Sequence, residues 1–143
     1  MCIRDRHITD LNEFSTLQTL LVVGINNLDD LGKTIIKAET YFKQDRFTEA
    51  ANLYEKAARI DETEYTHLEN AALSFYRGDN FDQAEKLFRY VLNSFEINNG
   101  KSEFYLGLLL YEKKELDEAC KFWDIAIQKR FQGASKVKQT FCR

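Results

Sequence analysis

Few residues of this 143-residue chain have a type and spacing that could support chemistry. The segment Gly32-Lys33-Thr34 matches the last three residues of a phosphate-binding loop, whose backbone N–H groups surround a phosphate. That loop needs a glycine five residues before its last glycine, and Asn27 stands there instead. Because no strand signal precedes the segment either, we interpret it as the start of a helix.

Histidines and carboxylates give no catalytic set. His7 and His67 lack a histidine, cysteine or carboxylate partner at metal-ligand spacing, so we expect both on exposed helix faces. Two acidic pairs, Glu112 with Glu115 and Asp117 with Glu118, are interspersed with lysines. This pattern predicts solvated helix faces rather than acid–base dyads. We therefore expect no catalytic residue, no metal site and no cofactor, and we predict that the chain is not an enzyme.

Composition excludes several other classes of function. With 44% hydrophobic and 30% charged residues the chain is neither disordered nor membrane-like. The net charge of −3, with lysines and arginines scattered among acids, disfavours nucleic-acid binding. The apolar run at residues 20–23 is too short for membrane insertion, and no signal peptide is visible at the start of this sequence. We expect a cytoplasmic location by default, but we also expect that residues 1–6 are not the native start, which leaves an upstream signal peptide open.

The sequence repeats itself three times, at offsets of 34 and 35 residues. Each block has an alanine and, four positions later, an aromatic residue: Ala50 with Tyr54, Ala84 with Phe88, and Ala119 with Trp123. A second segment upstream of each block has a small residue followed by a large apolar one: Ala38 with Tyr41, Ala72 with Phe75, and Gly107 with Leu110. Spacings of three and four are helical, so each unit is predicted to be two helices joined by a short polar turn.

This pattern resembles the tetratricopeptide repeat family, whose unit has 34 residues with the same small and aromatic positions. The resemblance implies an all-α fold, an α-solenoid of three helix–turn–helix repeats. The absence of proline and of any strand signal agrees with it. Two features of the family are missing: the tryptophan early in the first helix, and the proline that closes the second helix, here replaced by Glu62, Glu96 and Phe131.

We predict repeats at residues 31–64, 65–99 and 100–133, with a capping segment on each side. Residues 1–30 would contain a degenerate capping helix with apolar Leu17, Leu20, Leu21 and Val23. Residues 134–143 would form a C-terminal capping helix after Gly133. Within each unit the small residues of both helices should meet, Gly107 opposite Ala119 for example, while the aromatic residues fill the gap toward the next unit.

Two short features remain open to interpretation. Arg77-Gly78-Asp79 spells an adhesion tripeptide, but we place it in an intra-repeat turn where Gly78 supplies a positive φ. Of the three cysteines, Cys120 lies on the last repeat helix and Cys142 at the end of the C-terminal cap. Two free thiols are the simpler interpretation, and a disulfide closing a loop of about 20 residues is the alternative.

The resemblance implies that the first helices line a concave groove that binds extended peptides. The groove positions that follow are Ile35, Glu39, Phe42, Lys43, Thr66, Glu69, Leu73, Tyr76, Arg77, Lys101, Phe104, Leu108, Tyr111 and Glu112. Phe42, Tyr76 and Tyr111 recur in one phase and form an aromatic row, either as a partner-binding surface or as internal packing.

One subclass of the family clamps the C-terminal carboxylate of chaperones with five lysine, asparagine and arginine side chains. Asn70 and Lys101 match that set, whereas Ile35, Glu39 and Tyr105 replace the other three, so we do not expect chaperone-tail capture. The predicted function is a scaffold or adaptor that binds a protein or peptide, with no small-molecule substrate. The alternative is a terminal fragment of a larger repeat array whose role is assembly by stacking.

Overall fold

The computed structural model describes the backbone of residues 3–143 and the side chains of residues 18, 21, 24 and 26–143. Seven helices follow one another in this part of the chain, and it contains no strand. They are α1 (Ile3–Lys43), α2 (Phe47–Ile60), α3 (Tyr65–Arg77), α4 (Phe81–Ser94), α5 (Lys101–Glu112), α6 (Leu116–Gln128) and α7 (Ala134–Phe141). None of the described helices is both long enough and apolar enough to span a membrane.

Each helix packs against the next one in the sequence, from α1 on α2 through to α6 on α7. The first helices α3 and α5 also touch each other directly. Such nearest-neighbour packing defines a solenoid, in which a helix pair buries its apolar face only against adjacent pairs. The prediction of an all-α helical-repeat solenoid is confirmed.

The helices α1, α3 and α5 end in the same way. The second residue after the end of each helix adopts the left-handed conformation. These residues are Asp45, Asp79 and Lys114, with φ of 58°, 61° and 65°. The next backbone N–H donates to a carbonyl five residues earlier, as from Asn80 to Phe75 at 2.8 Å. This is the Schellman motif, which places the left-handed residue two positions beyond the last helical one. The prediction that Gly78 supplies the positive φ was therefore wrong, since Gly78 has a φ of −87°.

The first helix is longer than the sequence suggested. Helix α1 spans 41 residues, about 62 Å at 1.5 Å per residue. It continues through residue 30, so the predicted start of the first repeat does not coincide with a helix end. Gly32-Lys33-Thr34 lies inside α1 rather than at a helix start, because neither a proline nor a strong cap interrupts the pattern. The side chains of the predicted capping residues Leu17, Leu20 and Val23 lie outside the described set.

Small residues allow close contact between the two helices of a unit. In the first unit Ala38 and Ala50 lie in one buried cluster with Tyr54. In the third unit the Trp123 indole, rather than Ala119, lies nearest to Gly107: a Cβ at position 107 would be 2.3 Å from Trp123 Nε1. Trp123 is fully buried, and its Nε1 donates to the Phe104 carbonyl at 3.2 Å. The third unit therefore leaves no room for any side chain at position 107.

The C-terminal helix is covalently attached to the last repeat. Cys120 of α6 and Cys142 after α7 form a disulfide with their Cα atoms 6.0 Å apart, so the favoured interpretation of two free thiols was wrong and the alternative holds. The bond spans a separation of 22 residues, for which loop closure contributes about 3 kcal/mol. It holds Phe141 against Tyr111 and Trp123, with ring centroids 4.4 and 6.1 Å away.

Replacing Gly107 by alanine should destabilise the protein by roughly 1–3 kcal/mol, because the new methyl group overlaps the Trp123 indole. Chemical denaturation monitored by circular dichroism measures the change. Gly32→Ala is the matched control: Gly32 also lies inside a helix, but a Cβ there meets nothing within 4 Å. That control should gain about 0.5–1 kcal/mol from helix propensity. Equal effects of the two substitutions would contradict the close contact.

Candidate functional site: the first-helix surface

The predicted groove residues occupy the first helices α1, α3 and α5. Eight of the fourteen are half-buried, and these are Ile35, Phe42, Thr66, Leu73, Tyr76, Lys101, Phe104 and Leu108. The exposed ones are Glu39, Lys43, Arg77, Tyr111 and Glu112. Leu73, Tyr76, Phe104 and Leu108 pack against the main hydrophobic core, so their outer edges form the floor of this surface.

Each ring of the aromatic row packs against another ring of the same chain. The pairs are Phe42 with Phe47 at 5.2 Å, Tyr76 with Phe81 at 5.7 Å, and Tyr111 with Phe141 at 4.4 Å between centroids. Internal packing, the second interpretation of the row, therefore applies to all three rings. Tyr111 retains 37% exposure, so it alone of the three counts as an exposed ring.

An aromatic cluster that the sequence did not indicate joins the second and third units. Tyr105 stacks on Phe88 at 6.3 Å and contacts Tyr76 at 6.1 Å and Phe104 at 5.3 Å. Phe104 in turn contacts Phe131 at 4.8 Å. Burial in this environment raises the pKa of the Tyr76 phenol. Tyr105 therefore acts as a packing residue at the position where carboxylate-clamping domains have an arginine.

Ile36 is an exposed apolar residue that the predicted groove omitted. Its side chain is 66% exposed, and it lies seven residues, or two helical turns, before Lys43. This spacing places Ile36 and Lys43 on one face of α1, and the same spacing in the sequence could have identified it.

Charged residues border the apolar floor. Lys43, Arg77 and Glu112 are exposed, and within the described part of the chain none of the three is in an ion pair. Long side chains of this kind can reorient toward a ligand without breaking an existing salt bridge. No group of three or more potential metal ligands occurs among the described residues.

Two residues expected at the surface are buried. Glu69, a predicted groove position, is only 1% exposed, and its Oε2 accepts a hydrogen bond from Ser102 Oγ at 2.7 Å. Burial raises the pKa of the Glu69 carboxyl, while the Ser102 hydrogen bond and the Lys101 charge act in the opposite direction. His67 is 8% exposed, which corrects the expectation of an exposed histidine. Both lie on α3, which packs against α2, α4 and α5, so little of it remains exposed.

Glu69→Gln should raise the melting temperature at pH 7, since it removes a buried charge while its amide oxygen can still accept from Ser102. The expected sign of the change in melting temperature follows from the raised pKa of the Glu69 carboxyl. The native state binds the Glu69 proton more tightly than the unfolded state, so the wild type loses stability as pH rises above the ordinary value of 4.5. The advantage of Glu69→Gln should therefore shrink below pH 4 in thermal melts across pH. Ser102→Ala should lower the melting temperature at pH 7. A lower melting temperature for Glu69→Gln at pH 7 would contradict the assignment of Glu69 as a destabilising buried charge.

Comparison with solved structures identifies the architecture. The first TPR of Spaghetti (RPAP3) bound to the HSP90 peptide SRMEEVD is 20% identical, with a TM-score of 0.70 over 79% of this chain and 90% of that one. The Arabidopsis OM64 TPR domain is 19% identical, with a TM-score of 0.73 over 80% and 96%. PcrH in complex with the chaperone binding region of PopB is 12% identical, with a TM-score of 0.69 over 79% and 94%. No family model and no curated protein matches the sequence. The similarity confirms the tetratricopeptide repeat fold that the resemblance implied.

Proposed function

We propose that this chain, with its tetratricopeptide repeat fold, is a protein-interaction module that binds a peptide or partner helix along α1, α3 and α5. It acts as a scaffold or adaptor and not as an enzyme. The observation that carries the proposal is the apolar floor of Leu73, Phe104 and Leu108 on adjacent first helices, bordered by exposed Arg77 and Tyr111. An apolar strip with a charged rim is the usual composition of a peptide-binding surface.

The similar structures support a binding role at the level of the fold. The RPAP3 domain is bound to an HSP90 peptide, and PcrH is in complex with a region of PopB. This chain spans 90% or more of the length of both. A helical-repeat solenoid of this size is therefore sufficient, in those proteins, to hold a polypeptide ligand.

The side chains favour an apolar ligand over an acidic chain terminus. Exposed Glu39 would repel a carboxylate, and Ile35 offers it no hydrogen bond. Tyr105 is packed within the aromatic cluster and cannot replace a guanidinium. The ligand that fits best presents aliphatic or aromatic side chains to the floor, with an acidic residue near Arg77.

Peptides selected from a random library on the immobilised wild-type protein provide the probe. In isothermal titration, Tyr111→Ala and Arg77→Glu should each weaken the best peptide by at least about tenfold, or about 1.4 kcal/mol. Tyr90→Ala is the matched control, because Tyr90 is a 54% exposed tyrosine on the second helix α4. It should leave the affinity unchanged.

Circular dichroism must show unchanged helicity for each variant. The proposal would be overturned if Tyr90→Ala weakened the binding of the selected peptides while Tyr111→Ala and Arg77→Glu left their affinity unchanged. The peptide SRMEEVD serves as a further probe, and this chain should not bind it.

A second candidate function is assembly by stacking, which the N-terminal end favours. Leu21 and Leu28 are 64% and 69% exposed on α1. They line a cavity of about 450 Å³ that Leu31 and Ile60 complete. Because α2 ends at Ile60, it does not cover this apolar face of α1, and another helix could do so.

If stacking is the function, the average mass in sedimentation equilibrium should rise with protein concentration over the micromolar range. The double substitution Leu21→Glu and Leu28→Glu should abolish that rise, because it places charges on the apolar face. Ile36→Glu, an equally exposed position on the same helix, is the control and should leave assembly intact. A monomer at all concentrations would exclude stacking and leave the groove proposal untouched.

A further inference from the structure

Helix α7 covers one end of the proposed groove. Phe141, the last residue of α7, lies over Tyr111 of α5 and Trp123 of α6, with ring centroids 4.4 and 6.1 Å away. Tyr111 is a predicted groove residue, and its ring also contacts Trp123 at 6.3 Å. Trp123 is fully buried, whereas Phe141 is still 37% exposed. The Phe141 ring therefore lies between the Trp123 indole and solvent.

Few noncovalent contacts hold α7 in this position. The helix packs mainly on α6, and of its eight residues Ala134 is the one that is fully buried. A helix of this length is marginally stable on its own. The ion pair between Lys138 and Asp124 joins α7 to α6, but the two side chains are 41% and 46% exposed, so the pair contributes little. The position of α7 therefore depends largely on the disulfide between Cys120 and Cys142.

The disulfide holds the Phe141 ring itself, because Phe141 immediately precedes Cys142 in the chain. While the bond is intact, the Phe141 Cα stays about 3.8 Å from the Cys142 Cα and cannot move away from α6. Loop closure over a separation of 22 residues lowers the population of a detached α7 by roughly 100-fold. Breaking the bond would leave this short helix with its noncovalent contacts alone.

We propose that the disulfide is a redox switch of the groove: its reduction releases α7 and opens an apolar pocket at Tyr111 and Trp123. The proposal rests on the proposed function, in which Tyr111 contacts the bound peptide. In the oxidised protein Phe141 fills the pocket. In the reduced protein an aromatic or aliphatic side chain of the peptide takes the place of Phe141, because the exposed apolar surface is stabilised when it is covered again. Reduction therefore strengthens peptide binding.

The reductant is a dithiol, either a small molecule or a protein with two neighbouring cysteines. It can reach the bond because neither Cys120 nor Cys142 is fully buried. One thiolate of the reductant attacks a sulfur of the disulfide, which breaks the Sγ–Sγ bond and forms a mixed disulfide, and the leaving cysteine takes up a proton. The second thiol of the reductant then attacks the mixed disulfide. The reductant becomes a disulfide, and Cys120 and Cys142 both become thiols, so electrons and protons balance.

Trp123 is the only tryptophan of the chain, so its fluorescence reports the release of α7 without any ligand. Acrylamide quenching is measured on Cys2→Ser protein before and after reduction with dithiothreitol, and alkylation followed by mass measurement confirms complete reduction. The quenching constant should rise severalfold on reduction, because the departure of Phe141 exposes the indole. Phe141→Ala should raise it in the oxidised protein, whereas Thr140→Ala, at the exposed neighbouring position, should leave it unchanged.

Peptides selected from a random library on Cys142→Ser, which cannot form the bond, test the link to the groove. In isothermal titration the reduced Cys2→Ser protein should bind the best peptide at least about tenfold more tightly than the oxidised form does. Cys142→Ser should bind it with the higher affinity whether or not dithiothreitol is present. Circular dichroism must show that α1–α6 stay helical in each form.

Unchanged quenching after complete reduction, or unfolding of the whole chain, would overturn the release of α7. Equal or weaker peptide binding by the reduced form would overturn the control of the groove by the disulfide. If no peptide binds either form, the proposed function fails and its redox control fails with it. The quenching of Trp123 would still decide whether the disulfide holds α7 in place, so the two failures are distinguishable.

Discussion

The close approach of the two helices within a unit is the constraint on which the rest of the structure depends. In the third unit the Trp123 indole occupies the space where any side chain at position 107 would be, and only glycine permits this. The contact fixes α6 against α5, and Tyr105 then joins α5 to the second unit. Because each helix pair rests on its neighbour, a displaced pair would shift the outer surface of the first helices. The proposed groove therefore depends on residues that no ligand would touch.

Much of the fold could be predicted because its determinants are periodic along the chain. The alanines at positions 50, 84 and 119 are all fully buried, and each lies on a second helix of the expected pair. Helical spacing is a local property, so three copies in phase were enough to indicate the architecture. The groove residues remain a prediction, although all fourteen lie on the first helices α1, α3 and α5.

What sequence reasoning missed depends on neighbours in space. Glu69 and His67 have the polarity of surface residues, but α3 lies between α2, α4 and α5, which leaves little of it exposed. The aromatic row has the spacing of a binding surface, yet residues from other elements, such as Phe141, cover part of it. The disulfide was stated only as the alternative to two free thiols, because a count of three cysteines could not establish that Cys142 returns to α6. Similarly, the sequence contains no helix-stop signal that could distinguish a short first helix from the long α1.

The disulfide between Cys120 and Cys142 also makes the two ends of the solenoid mechanically unequal. A force applied to the chain termini can extend the N-terminal helices residue by residue. The segment from position 120 to 142 lies inside a covalent loop and bears no tension. About 75 Å of contour length, at 3.3–3.6 Å per residue, is thus withheld from extension. A partner that pulled on the molecule would therefore extend only residues outside this loop, for as long as the disulfide stays oxidised.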